Sequence, residues 1–211
     1  MIIVFARAPV PGEAKTRLIP RLGAWRAARL QASLTRRALR TAGLAGEAVE
    51  LHGTRRHSFF RTLDVPFRLQ RGKDLGERMY RALSKAKKPA ILIGTDCPVL
   101  APADLRRAAR WLRGGCDVVL APAEDGGYAL IGARRVSKRL FEGIAWSTPR
   151  VYAQTVEKLR GYRWRALRTV WDVDRPEDLQ RLRSLRFASA SPPGARRSRG
   201  SRARSGGSGR P

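Results

Sequence analysis

Short runs of consecutive apolar residues alternate along this chain with longer segments whose apolar residues recur every three or four positions. Ile2-Ile3-Val4-Phe5, Ala90-Ile91-Leu92-Ile93-Gly94 and Asp117-Val118-Val119-Leu120-Ala121 are uninterrupted enough to be strands covered on both faces. Ala48–Leu51, Phe67–Leu69, Tyr128–Gly132 and Leu167–Trp171 are further strand candidates. Helical spacing predicts helices from about Ala24 to Gly43, through Leu75, Met79, Ala82, Leu83 and Ala86, and through Leu105, Ala109 and Leu112, with two more starting near Pro149 and Pro176. Strands that alternate with helices build a doubly wound, mostly parallel α/β sheet. A chain of 211 residues, 43% of them hydrophobic, suits one such domain, expected over residues 1–185. Beyond Leu185 the composition turns to Ser, Gly, Pro and Arg, which cannot bury enough apolar area to offset ordering. Residues 186–211 are therefore expected to be a disordered basic tail carrying Arg196, Arg197, Arg199, Arg202 and Arg204.

Charge changes this picture little. Lys and Arg number 44 against 17 Asp and Glu, a net +27. Such an excess raises the question of nucleic acid. The cations, however, are scattered through every predicted helix (Arg26, Arg29, Arg36, Arg37 and Arg40 in the first), which favours a generally arginine-rich surface. Nucleic-acid contact is expected to be at most nonspecific, through the tail. Cys97 and Cys116 are the only cysteines and have neither disulfide nor zinc spacing, in keeping with a reducing cytoplasm. No apolar run approaches the length of a membrane helix, and no signal pattern precedes the first strand, so a protein with no membrane association is expected.

Candidate chemistry gathers where predicted strands end. After the first strand, Arg7-Ala8-Pro9-Val10-Pro11-Gly12-Glu13-Ala14-Lys15-Thr16-Arg17 places three cations in a loop stiffened by prolines and turned by Gly12. In open α/β sheets such loops face the ligand crevice, so Arg7, Gly12, Lys15 and Arg17 are predicted to hold phosphate; a solvated basic turn is the plain alternative. Asp96 follows another buried strand and would emerge at the same edge, as a ligand for a hard cation or as a turn cap. Asp172 and Asp174 could join it, although Asp174 with Glu177 also matches a capping box, and Asp178 suits a helix's first turn. Asp125-Gly126-Gly127-Tyr128 combines a projecting carboxylate, able to act as a general base, with two glycines that allow close backbone approach; a glycine turn is the alternative. Trp146-Ser147-Thr148 could line an acceptor pocket, and Thr148 could equally cap the next helix. The N-terminal loop has neither Walker nor dinucleotide-fold glycine spacing.

Taken together, the N-terminal loop, Gly94-Thr95-Asp96-Cys97-Pro98, Asp125-Gly126-Gly127-Tyr128, Trp146-Ser147-Thr148 and Asp172-Val173-Asp174-Arg175-Pro176-Glu177-Asp178-Leu179 resemble the transferase family described as radical-SAM/selenodomain-associated, some members of which are labelled arsenosugar-type glycosyltransferases. The resemblance runs from Met1 to about Leu185. It implies the GT-A, nucleotide-diphospho-sugar transferase fold and a Mg²⁺ or Mn²⁺ ion on Asp96 with Asp172 or Asp174. It also implies a place beside the nucleoside for Gly72, Asp74, Gly76 and Arg78, although Asp74 is by itself a good N-cap. More distantly, Lys15-Thr16-Arg17-Leu18 and the Asp-Val-Asp ending are similar to phospholactate guanylyltransferase. The expectation is transfer of a sugar from a nucleotide-activated donor to a small acceptor, with Lys15, Arg17 and Asp125 catalytic and Gly126, Gly127, Tyr128, Trp146, Ser147 and Thr148 at the acceptor. The alternatives are nucleotidyl transfer, which would release pyrophosphate, and nucleic-acid binding on a degenerate transferase scaffold. Cys97-Pro98 departs from the D-x-D pattern of many glycosyltransferases.

Overall fold

A computed structural model describes residues 1–190. Seven strands form one sheet: β1 (Ile2–Ala6), β2 (Val49–Gly53), β3 (Phe67–Leu69), β4 (Ala90–Ile93), β5 (Val118–Pro122), β6 (Tyr128–Ala133) and β7 (Trp164–Ala166), in the order β3-β2-β1-β4-β6-β5-β7. Every ladder is parallel except the two that β6 makes with β4 and β5. The predicted mostly parallel α/β sheet is therefore present, and the antiparallel β6 lies inside it.

All five residues of β1 are buried, as a central strand covered on both faces requires. Ile2, Val4 and Ala6 pack with Ala38 and Ala42 of α2 (Ala24–Gly43) and with Leu105, Ala108 and Leu112 of α5 (Pro102–Arg113). Ile3 and Phe5 face Met79, Ala82 and Leu83 of α4 (Leu75–Lys85), on the side that also carries α6 (Val151–Lys158). The short α1 (Ile19–Leu22) and α3 (Ser58–Arg61) and the last helix, α7 (Asp178–Ala190), complete the set. Gly132 lets α5 approach closely, since a Cβ there would lie 2.9 Å from Leu112 Cδ1. A smaller cluster of Leu18, Leu34, Val173 and Leu182 pins α7 and the segment before it to the loop after β1.

Two expectations change. Leu167–Trp171 is not a strand: the edge ladder is Trp164–Ala166, and beyond it only Val170 bridges to Ala123. The apolar Leu167 and Val170 are buried; Leu167 N–H donates to the Leu120 carbonyl, and Val170 donates to the Pro122 carbonyl and accepts from Glu124 N–H, which gives the segment the burial of a strand without a continuous ladder. The last helix also runs to Ala190, five residues past the expected domain end. The rest of the predicted tail, 191–211, lies outside the described residues. No helix among the described residues is long and apolar enough to cross a membrane.

Candidate active site

The carboxyl ends of β1, β4 and β5 and the segment leading into α7 meet at one edge of the sheet. Lys15 is at the centre. It adopts a left-handed backbone (φ 52°), and its side chain is buried, donating from Nζ to the Val173 carbonyl at 2.6 Å and forming an ion pair with Asp96 Oδ1 at 2.9 Å. Val173 N–H in turn donates to the Asp96 carbonyl at 2.8 Å. Val173 is fully buried against Leu18, so the backbone between Asp172 and Asp174 is fixed to both the loop and β4's exit. Two carboxylates thus flank a buried valine at a defined height over the sheet.

Asp96 is held from below as well. Gln31 of α2 donates to Thr95 Oγ1 at 3.0 Å, and Thr95 donates onward to Asp96 Oδ1 at 3.1 Å. Gln31 is 2% exposed on a stripe otherwise made of Ala27, Ala28, Leu34, Ala38 and Ala42, with Thr35, whose hydroxyl donates to the Gln31 carbonyl. A glutamine on that apolar stripe was the sequence signal for this relay, and sequence reasoning passed over it. Arg168 was missed too: it donates to the Val99 carbonyl at 2.7 Å and to Asp104 at 2.9 Å, bracing the turn after Asp96.

The loop cations are committed differently from expectation. Lys15 and Arg17 are paired with acids: Arg17 with Asp174, Lys15 with Asp96. Arg7 is exposed and reaches only the Glu13 carbonyl, at 3.5 Å, while Gly12 turns the loop at φ 85° with open space around it. Asp174 does not form the predicted capping box with Glu177. Asp178 takes that job, accepting from the N–H groups of Asp174 (3.0 Å) and Arg175 (2.7 Å).

Asp172 and Asp125 are left without a salt bridge among the described residues. Burial, then the charges of Asp125, Asp174 and Asp96, push the Asp172 carboxyl up to about 6 from an ordinary 3.8. Four carboxylates therefore converge on this edge. As they stand, no group of three acidic, histidine or cysteine side chains among the described residues is arranged to hold a metal. Asp174 is spent on Arg17. Asp172, raised first by burial and then by three like charges, and Asp96, whose side chain stays 48% exposed beside its pair with Lys15, are the two whose chemistry fits a cation. Cys97 beside them is a partly buried thiol that desolvation pushes up to about 11, which does not favour a reactive thiolate.

Several predicted ligand-facing residues also have partners within the fold. Asp74 caps α4, accepting from Glu77 N–H at 2.8 Å, and Arg78 Nε donates to the Gly72 carbonyl at 3.0 Å, so the 72–78 segment closes on itself. Gly76 makes room for Trp146: a Cβ there would lie 2.6 Å from the indole. Trp146 and Tyr128 pack into the core on the α4 side, with the Tyr128 hydroxyl 4.0 Å from Met79 Sδ. Gly126, at φ 84°, gives its space to the Pro149 carbonyl. Gly127 N–H donates to Asp125 Oδ1 at 2.8 Å, which holds that exposed carboxylate at the turn. Thr148 Oγ1 donates to the Ala145 carbonyl at 2.7 Å and accepts from Arg150 N–H at 3.3 Å, shaping the turn before α6, while Ser147 sits at φ 64°.

The architecture and the sequence both match known proteins. A family model for uncharacterized proteins conserved in bacteria, DUF2064, matches residues 30–148, more than half the chain. The chain belongs to the DUF2064 family. The matched span includes Asp96 and Asp125, while Lys15, Arg17, Asp172 and Asp174 lie outside it. A crystal structure from Desulfovibrio desulfuricans G20, of a protein named there as a candidate nucleotide-diphospho-sugar transferase, is 30% identical. It superposes with a TM-score of 0.83, covering 90% of this chain and 88% of that one. A protein from Methanothermobacter described as a nucleotidyl transferase is similar in fold at 16% identity (TM-score 0.60; 90% of this chain, 99% of that one). So is a manganese complex of a Mycobacterium tuberculosis H37Rv protein at 21% identity (TM-score 0.50; 86% and 96%). The fold is that of the nucleotide-diphospho-sugar transferases and nucleotidyltransferases. No curated protein matches the sequence.

Proposed function

We propose that this DUF2064 chain is a transferase that binds a nucleotide-activated donor at the carboxyl edge of its sheet and moves a sugar to a small acceptor, as the resemblance to the radical-SAM/selenodomain-associated glycosyltransferases implies. The observation that carries the reading is the arrangement of charge there. Lys15 and Arg17 pair with Asp96 and Asp174, while Asp172 and Asp125 are left as neighbouring acids with no cation paired to them among the described residues. Such a set repels an anionic donor on its own and accepts one together with a divalent cation.

Asp96 and Asp172 would hold Mg²⁺ or Mn²⁺, and the ion would neutralise diphosphate charge in the donor and in the leaving group. The Desulfovibrio relative supports the donor class, and the manganese complex supports a divalent ion on this fold. Arg7, exposed beside Gly12, and Arg17, whose side chain is 64% exposed, are the loop cations free to swing onto phosphate. Lys15, buried and doubly bonded, holds Asp96 and Val173 in place. Asp125, fixed by its own turn, takes the proton of an acceptor hydroxyl as its oxygen attacks the anomeric carbon and the nucleoside diphosphate departs. Catalysis is then largely positioning and preorganised charge. Two free cysteines suit the reducing setting of a cytoplasmic enzyme.

Nucleotidyl transfer is the second reading, because exposed Arg7 and Arg17 at the loop would also suit departing pyrophosphate. Either chemistry requires nucleotide binding, which thermal shift with a panel of nucleoside di- and triphosphates tests. A nucleotide at a hundred times its Kd contributes about 2.7 kcal/mol, a shift of several degrees. The shift is expected only with Mg²⁺ or Mn²⁺, and to be lost in Asp172→Asn. If no nucleotide moves the melting temperature with either metal, the proposal fails.

A further inference from the structure

The α4 side of the sheet is not fully covered. β2 and β3 pair His52 with Arg68, which places Glu50, His52 and Arg68 on one face, with α4 along one side of them. They form the floor of a groove of about 680 Å³. It runs from Ala48 at the amino end of β2 to Arg56 and Arg71 past the carboxyl ends, roughly 17 Å for five residues of strand. Arg56, Arg71, Arg78, Lys85 and Lys87 line it, and none of them forms a salt bridge among the described residues.

Glu50 is the one acid in the lining, and its charge is already used. Arg68 donates to it from Nε at 2.8 Å and from a terminal nitrogen at 3.3 Å, and His52 Nε2 lies 3.1 Å away. The floor therefore carries no free negative charge, and the outer edge of the Arg68 guanidinium faces the groove. Nor is there a stacking platform. Phe67, the one benzene ring in the lining, is stacked on Phe60 at 5.4 Å and packs against the core. Bases have nothing to lie on, whereas phosphate groups would meet donors along the whole length.

We infer that this groove is a second anion site, taking a small linear polyanion with two or more phosphate groups. It stands independently of the proposed transferase activity. Arg78 is the one lining cation shared with the segment predicted beside the nucleoside, and Lys85 and Lys87 lie at the far end of α4. Low-dielectric walls focus the field of these cations along the groove.

Calorimetric titration of the full chain in EDTA, at matched ionic strength, with tripolyphosphate, orthophosphate and sulfate tests it. Tripolyphosphate is expected to bind with one-to-one stoichiometry at least about tenfold tighter than sulfate. The double variant Lys85→Gln/Lys87→Gln should weaken it about tenfold without moving the melting temperature, and Lys85→Arg/Lys87→Arg should restore it. The arginines beyond residue 190 are common to all these proteins, so the difference isolates the groove. Lys15→Met should leave the affinity unchanged. Equal affinity for sulfate and tripolyphosphate overturns the inference, as does a double variant that binds like wild type. A single-stranded oligonucleotide that binds where tripolyphosphate does not would overturn it in favour of a nucleic-acid surface.

Discussion

Replacing Asp172 with Asn should make the protein more stable, and only above a definite pH. The unfolded chain ionises this carboxyl near the ordinary 3.8, and the folded protein near 6. Between those values the folded state keeps a proton that the unfolded state has lost, so wild type loses stability as pH rises from about 4 to 6 and then holds a constant deficit. Asn is neutral throughout. The variant should match wild type at pH 4 and exceed it increasingly up to pH 7. Each pKa unit corresponds to about 1.4 kcal/mol, which sets an upper bound of about 3 kcal/mol. Because the carboxyl is only partly buried, solvent screening cuts this to roughly 1–2 kcal/mol, or about 3–6 °C for a domain of this size. Urea melts of both proteins at pH 4, 5, 6 and 7.5, without metal or nucleotide, measure it. A difference that does not change with pH, or a variant less stable than wild type at pH 7.5, would refute the burial of Asp172 beside Asp125, Asp174 and Asp96.

Lys15→Met should cost about 1–3 kcal/mol of stability, because it strips the Val173 carbonyl and Asp96 of a buried donor, whereas Arg17→Ala, at an exposed pair, should cost less than about 1 kcal/mol; chemical denaturation separates the two. Gly126→Ala should destabilise by about 2 kcal/mol or more, since its left-handed φ and the Pro149 carbonyl both exclude a Cβ, while Gly127→Ala, whose Cβ would lie 3.2 Å from the Asp125 carboxylate, should stay within about 1 kcal/mol in the same assay.

The alternation of buried runs and amphipathic segments was enough to predict the sheet because β1, β4 and β5 are covered on both faces and read as unbroken apolar stretches. Edge structure was harder to read. At β7, Trp164–Ala166 is partly exposed and holds its ladder through backbone bonds, so the more apolar residues after it looked more strand-like. For the site, strand ends predicted which segments meet, since a residue following a buried strand emerges at the same edge whatever the loops do. Side-chain partners were not legible, because they depend on contacts from 23 to 158 residues apart. Lys15 reached Val173 and Asp96 where a loop cation suggested phosphate, and Gly76 and Gly126 yielded space to Trp146 and Pro149 where glycine suggested a ligand. Gln31 was the informative exception, since a buried polar side chain must find a partner and this one lies beneath Asp96.

What leaves the donor tests the central claim most directly. Wild type is offered nucleotide-diphosphate sugars or nucleoside triphosphates, Mg²⁺ or Mn²⁺ and a pool of small hydroxylated metabolites, and the products are read by mass spectrometry. The account predicts nucleoside diphosphate and a glycosylated acceptor, with Asp125→Asn lowering transfer at least about 10²-fold while donor binding persists. Metal-dependent pyrophosphate together with a nucleotidylated product would contradict it.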